Sequence, residues 1–146
     1  EVFRYAIVKF IPRILYSVAS GKTIFERIRM IIGQYMDMLD ENPFIPIFIL
    51  HEIHRNPLRP AEILIGSGLD VQLTITNLIR DEDKAFIKPV DPVHLIINML
   101  SLCIFPYAAR PLLNKILFDN NEEEIKKFRD ERKEEVISFV INAIAI

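Results

Sequence analysis

The sequence predicts an all-α fold, a single domain of about six helices covering residues 1–146. Three observations predict it. Apolar residues recur at steps of three and four along most of the chain, the spacing of one helix face. Glycine occurs only four times, too few for the tight turns of a sandwich or barrel. Prolines follow directly on capping residues at Asn42-Pro43 and Asp91-Pro92, as they do where helices start. A chain of 146 residues can bury roughly 68–70% of its unfolded surface, enough for one substantial core.

The first helix spans Val2 to Ala19, with Phe3, Ile7, Phe10, Ile14 and Ser17/Val18 on one stripe. Pro12 inside it predicts a kink. Ser20-Gly21-Lys22 is a break. The second helix runs from Thr23 to Asp40, its stripe being Phe25, Ile28, Ile32, Tyr35/Met36 and Leu39. Arg27, Gln34 and Asp37 fall off that stripe, and Thr23 with Glu26 three residues on reads as a capping box. Asn42 then caps a third helix with Pro43 in its first position. Phe44 to Leu50 is apolar all round, which predicts a central, buried helix ended by Asn56-Pro57.

A fourth helix starts at Pro60 and carries Leu64, Gly68, Val71, Ile75 and Leu78/Ile79 on one face. Gly68 in mid-stripe predicts a close backbone approach or room for a bound molecule. Arg80 to Lys84 and Pro89 form a charged loop. Asp91-Pro92 opens a long apolar helix, and the last helix opens at Asn120/Asn121 with Glu122, Glu123 and Glu124 in its first turn. Its stripe is Ile125, Phe128, Arg132, Val136, Phe139/Val140 and Ala143. Glu122–Lys126 and Glu123–Lys127 are spaced for ion pairs worth about 0.2–0.5 kcal/mol each.

Several functions lose support at this level. Net charge is −2, unlike the basic footprint of a nucleic-acid binder. The single cysteine, Cys103, lies in an apolar run and reads as a small buried hydrophobe. It permits no disulfide framework and fits a reducing, cytoplasmic setting. His51-Glu52-Ile53-His54 has its histidines three apart, not four, with no third ligand apparent, so no metal site and no cofactor is expected. Its plain reading puts His51 and Glu52 in buried polar contacts, with His54 and Arg55 in solvent. There is no nucleophile elbow, and the glycines of Ile65 to Asp70 do not follow a strand. The chain is not expected to be an enzyme. Pro92 to Ala109 lacks Asp, Glu, Lys and Arg over 18 residues, close to the roughly 17–25 of a membrane span. With His94, Asn98 and a proline inside, it reads as a buried helix instead. Gln72, Thr76 and Asn98 stand beside apolar stripes, as the few polar groups of a ligand cavity do; each equally suits a satisfied core position. The mixed charges of Asp119 to Glu135 form a solvated face, except that Arg132 falls in the apolar stripe.

Three stretches carry a family resemblance: FILHEIHRNP (Phe48 to Pro57), DPVHLIINMLSLCIFPYAARPLL (Asp91 to Leu113) and FRDERKEEVISFVINAI (Phe128 to Ile144). In that order, with an E-x-x-R-N-P turn and an F-P-x-x-A-R-P bend, the chain resembles the C-terminal domain of TetR-family transcriptional regulators. The resemblance implies an effector-binding and dimerisation domain in a homodimer, with the last two long helices, Pro92 to Phe118 and Asn121 to Ile144, forming a dimeric four-helix bundle. Residues 1–19 would be the connector from an N-terminal helix-turn-helix that precedes Glu1 in the parent protein. The chain lacks an initiating Met and is read as an excised fragment, so operator DNA would be reached only through that missing part.

Pro106 inside the apolar run frees the carbonyl of Leu102 or Cys103, and costs roughly 3 kcal/mol in an exposed helix. Arg110 is spaced to help satisfy it. A deliberate bend there would turn Leu102 and Phe105 toward the Phe44–His51 helix. The alternative is that Pro106 ends one helix and another begins near Ala108. The expected ligand cavity involves Phe48, His51, Glu52, Gln72, Thr76, Asn98, Leu102 and Phe105, taking a small apolar or amphipathic effector. The expected dimer face is Leu112, Leu113, Ile116, Phe128, Arg132, Val136, Phe139 and Val140. A ligand-free helical dimerisation or partner-binding module, with a filled interior, is the other reading.

Overall fold

Local capping chemistry sets most of the helix starts. The computed structural model describes residues 2–146, with side chains from Arg4 onward; Phe3, expected in the first stripe, lies outside that set. The helices are α1 (Val2–Ser20), α2 (Ile24–Glu41), α3 (Ile45–Arg55), α4 (Leu58–Gly66), α5 (Val71–Leu78), α6 (Pro92–Ala108), α7 (Arg110–Phe118) and α8 (Glu122–Ile144). A 3-10 helix, Asp81–Ala85, lies between α5 and α6. Thr23 Oγ1 accepts from the Glu26 amide at 3.1 Å, and the Glu26 carboxylate accepts from the Thr23 amide in return. Asp91 and Asn121 cap α6 and α8 by accepting from the amides of Val93 and Glu124. Unpaired first-turn amides make each of these side chains stabilising by about 0.5–2 kcal/mol.

The chain is all-helical, with no strand among the described residues, but it has eight α-helices where about six were expected. Two expected helices are each divided. The Pro60–Ile79 helix breaks at Ser67 to Asp70, where Gly68 takes φ +85° and Asp70 caps α5 through the Leu73 amide. A Cβ at Gly68 would meet nothing within 4 Å, so conformational freedom, not close approach, explains this glycine. The Pro92–Phe118 helix breaks at Ala109, and α7 leaves α6 at 76°. α6 passes through Pro106; the break falls at Ala109, and Pro111, in the first turn of α7, has no amide to give the Tyr107 carbonyl. α1 likewise continues through Pro12. The carbonyl left without a partner there belongs to Val8, an exposed residue open to water.

The central helix is α2, not the expected Phe44–Leu50 segment. Ile28, Ile32, Met36 and Leu39 of its stripe are buried, joined by Ile24 and Ile31. They pack in one core with Leu95, Met99 and Cys103 of α6 and with Val136, Ile137 and Val140 of α8. Phe10 of α1 meets Tyr35 of α2 with ring centroids 5.4 Å apart. α3 reaches this core through Ile45, with Ile49 packed against it. Ile45 and Pro46 are buried, yet Phe44, Ile47, Leu50 and Ile53 are exposed. A smaller cluster, Ile7 and Ile11 with Phe48, Ile63, Leu64 and Leu69, joins α1, α3 and α4. Asn42 does not cap α3. It ends α2, its amide side chain donating to the Met38 carbonyl, and Phe44 holds the N-cap position of α3.

An arginine off the expected stripe is wholly buried. Arg27 donates from Nε to the Leu78 carbonyl and from Nη1 to the Gly21 carbonyl, both at 3.0 Å, and from Nη2 to Asp83. Asp83 in turn accepts from the amides of Ile24 at 3.1 Å and Arg80 at 2.8 Å. Burial pulls the Arg27 pKa down from its ordinary value, and the Asp83 carboxylate opposes that pull. Gly21 makes room: a Cβ there would lie 2.9 Å from the Arg27 amide nitrogen and press on its side chain. Arg80 finishes the junction by donating to the Val18 carbonyl at 3.0 Å, at the end of α1. The charged segment expected as a loop is therefore a 3-10 helix that anchors through the buried Asp83, while Asp81, Glu82 and Lys84 stay exposed. At the other end of the chain, Ile87 and Ala145 form an isolated antiparallel bridge, and the Lys88 amide donates to Ile144.

Ion pairs on the surface tie the layers together. Lys133 pairs with Asp37, and Arg29 with Glu134 at 3.0 Å. Along α8, Lys126 pairs with Asp130, not with Glu122 as its spacing suggested. No single helix among the described residues is long and apolar enough to cross a membrane; α6 and α7 together have the length and composition of a broken span.

Arg27→Met or Asp83→Ala alone leaves a buried charge without its partner and is expected to lower unfolding free energy by about 3–5 kcal/mol, while pairing both changes costs less than their sum. Urea unfolding of the four-member cycle measures it.

Candidate functional site

The chemistry-bearing part of the molecule is the elbow where α6, α7 and α8 meet. α6 is apolar over most of its surface, with His94, Asn98 and Ser101 exposed on its outer side. One side (Leu95, Met99, Cys103, Tyr107) enters the core, and the opposite one carries Val93 at 50%, Ile97 at 55% and Phe105 at 58% exposure. α7 adds exposed Leu112 and Ile116, and α8 adds Phe139 at 66%. Between α6 and α8 runs a groove lined by Asn98, Ser101, Leu102, Phe139 and Ala143, about 480 Å³ and open to solvent.

Arg132 resolves the proline problem. Pro106 has no amide to give to Leu102, and Arg132 Nη2 donates to that carbonyl at 3.0 Å. The expected helper, Arg110, instead lies over the Tyr107 ring, 6.0 Å from its centroid. Arg132 also stacks on Phe128 at 5.8 Å, and its Nε is buried with no hydrogen-bond partner. Phe128 meets Phe118 at 5.3 Å, closing α7 onto α8. The α7–α8 turn needs left-handed residues, supplied by Asp119 (φ 47°) and Asn120 (φ 55°). The Asn120 amide then reaches back to the Asn114 carbonyl at 2.8 Å.

The expected ligand residues do not gather in one cavity. Phe48 is packed on Ile7 and Ile11. His51 is exposed, not in a buried polar contact; His54 and Arg55 are exposed as expected, and Glu52 is half-buried. Gln72 and Thr76 are exposed on α5, where the Thr76 hydroxyl donates to the Gln72 carbonyl at 2.9 Å. Phe105 points to solvent instead of toward α3. Only Asn98 and Leu102 share a cavity, the α6–α8 groove. Among the expected dimer residues, Val136 and Val140 are buried in the protomer's own core and cannot meet a mate. Leu113, Phe128 and Arg132 are half-buried in the elbow of the same protomer. Leu112, Ile116 and Phe139 remain free on the outside. Among the described residues no group of three or more His, Cys, Asp or Glu is placed to hold a metal ion.

Burial dominates the titration of the core. It pushes the Cys103 thiol up to about 12, with Arg132 opposing. Tyr107 is raised by burial and by the hydrogen bond its hydroxyl donates to Asp40, and Tyr35 by burial. The sequence set Arg27 off its helix's stripe, Asp83 in a charged loop and Arg129 on a solvated face, and gave none of them a role. The one available signal was Arg132, a charge in an apolar stripe.

No protein-family model, no curated protein and no solved structure matches this chain.

Cys103 is expected to resist alkylation by iodoacetamide at pH 8 in the folded chain and to react fully in urea. Because its folded pKa lies above the ordinary 9.0, the unfolded state releases the proton first. Stability should therefore decline as pH rises from about 9 toward 12, as equilibrium unfolding against pH measures.

Proposed function

We propose that the chain is the effector-binding and dimerisation domain of a TetR-type transcriptional regulator, whose effector changes the operator affinity of the parent protein. The observation that carries the reading is the uncovered side of α6. Most of a helix this apolar belongs in an interior, yet Val93, Ile97 and Phe105 of α6 lie exposed beside the polar His94, Asn98 and Ser101. Leu112 and Ile116 of α7 and Phe139 of α8 add further exposed apolar side chains. An apolar surface of that extent marks an interaction site. A second copy presenting the same face satisfies both, since a two-fold interface is self-complementary. The resemblance of the α3, α6–α7 and α8 segments to TetR regulators supports the same arrangement, with the pair α6–α8 as each protomer's half of a bundle. The long α1 supports a connector role: it touches both the α2 core and the α3–α4 cluster, so a change in either reaches its start. An effector shifts operator binding only through different affinity for two arrangements of these layers.

A ligand-free dimerisation module is favoured by one observation, the packing of Phe48 onto Ile7 and Ile11 where a cavity wall was expected. The two readings part in a thermal-shift screen of apolar acids, dyes and drugs. The regulator reading expects at least one compound to raise the midpoint in proportion to the logarithm of its concentration; the module expects none.

Light scattering at micromolar concentration is expected to give a dimer. Ile97→Glu and Phe139→Glu, both on exposed positions, are each expected to weaken association about thirtyfold or more, the effect of losing a ~2 kcal/mol hot spot. A monomer in the unmodified chain overturns the proposal.

A further inference from the structure

We propose that the notch at the α6–α7–α8 elbow is a binding site for a small carboxylate with an aromatic or short alkyl body. Three guanidinium groups, from Arg110, Arg129 and Arg132, line it together with Tyr107, Phe118 and Phe128. None of the three is in an ion pair among the described residues. Like charges lining one notch repel one another and gain from a shared anion. The Tyr107 hydroxyl already donates to Asp40, which does not line the notch.

The decisive atom is Arg132 Nε. It is buried and donates to nothing, although Nη2 of the same group is fixed on the Leu102 carbonyl. A buried donor without an acceptor costs about 1–3 kcal/mol and calls for an explanation, commonly a missing water or ion. Nε is sealed within the protomer, so a carboxylate oxygen reaches it once the side chains that cover it give way, and would then make one charge-assisted bond. The anchoring of Arg132 on Leu102 and its stacking on Phe128 hold its guanidinium in place before any ligand arrives. Room in the notch is about 40 Å³, enough for a carboxylate head and too little for a whole ring. The apolar body would lie across the mouth against Phe118 and Phe128. Apolar walls with a few convergent polar groups are the usual make-up of a small-molecule site. This site is separate from the effector cavity anticipated between α3, α5 and α6, and it stands whether or not the chain is a regulator domain.

Benzoate, acetate and benzyl alcohol are titrated into the chain, with calorimetry for affinity and the Arg132 Nε–Hε resonance followed by NMR. Benzoate is expected to bind at least tenfold more tightly than acetate and to shift that resonance, and benzyl alcohol to give no saturable change. Arg110→Gln and Arg129→Gln, neither of which holds a fold contact through a hydrogen bond, are each expected to weaken benzoate at least fivefold. Equal binding of acetate or of benzyl alcohol, an unmoved Arg132 resonance, or unchanged affinity in both variants overturns the proposal.

Discussion

The buried pair of Arg27 and Asp83 governs how this chain is put together. It lies where the end of α1, the start of α2, the end of α5 and the 3-10 helix converge, and it engages the Gly21 and Leu78 carbonyls and the Ile24 and Arg80 amides. Removing two charges from water costs several kcal/mol each, so such a pair is weak as a source of stability. Its value is selectivity. An alternative docking of α2 would leave a guanidinium or a carboxylate buried alone. Gly21 belongs to the same device, since a Cβ there would collide with Arg27.

With α2 held at its first turn, the rest of its length has one way to face. Its isoleucines and methionines meet α6 on one flank and α8 on another, and the surface pairs Asp37–Lys133 and Arg29–Glu134 follow that alignment. The pairs themselves are exposed, worth little each, and report the registry more than they create it. Burying Val136 and Val140 against α2 turns Phe139 outward, one-third of a turn away, and leaves the groove between α6 and α8 open. The apolar outer side of α6 is thus a consequence of how α2 is anchored.

The two prolines of the elbow act at different points. Pro106 breaks no helix, because an arginine from α8 replaces the hydrogen bond it deletes. Pro111 sits early in α7, where its missing amide meets a chain already turning at Ala109. The result is a corner stiffened by Arg132, Phe118 and Phe128, with basic groups collected at its inner side. A straight helix from Pro92 to Phe118 would have placed Leu113 and Phe128 on an outer face; the corner folds them into the protomer instead.

What the sequence determined by itself was local: helical periodicity, the caps at Thr23, Asp91 and Asn121, the acidic start of α8 and the fate of Cys103. Each depends on residues within about one turn, or on the hydrophobicity of one side chain, so spacing and residue type suffice. Tertiary structure alone decided which apolar faces are inside. The Phe44–Leu50 stretch is apolar all round and α6 largely apolar, and nothing local distinguishes the part that finds cover from the part that does not. It also decided the partners of the charges. Arg27 and Asp83 are 56 residues apart, and Arg132 meets Leu102 across 30; a buried ion or an orphaned carbonyl is satisfied by whatever the fold brings near it, and that proximity is a property of packing rather than of sequence order.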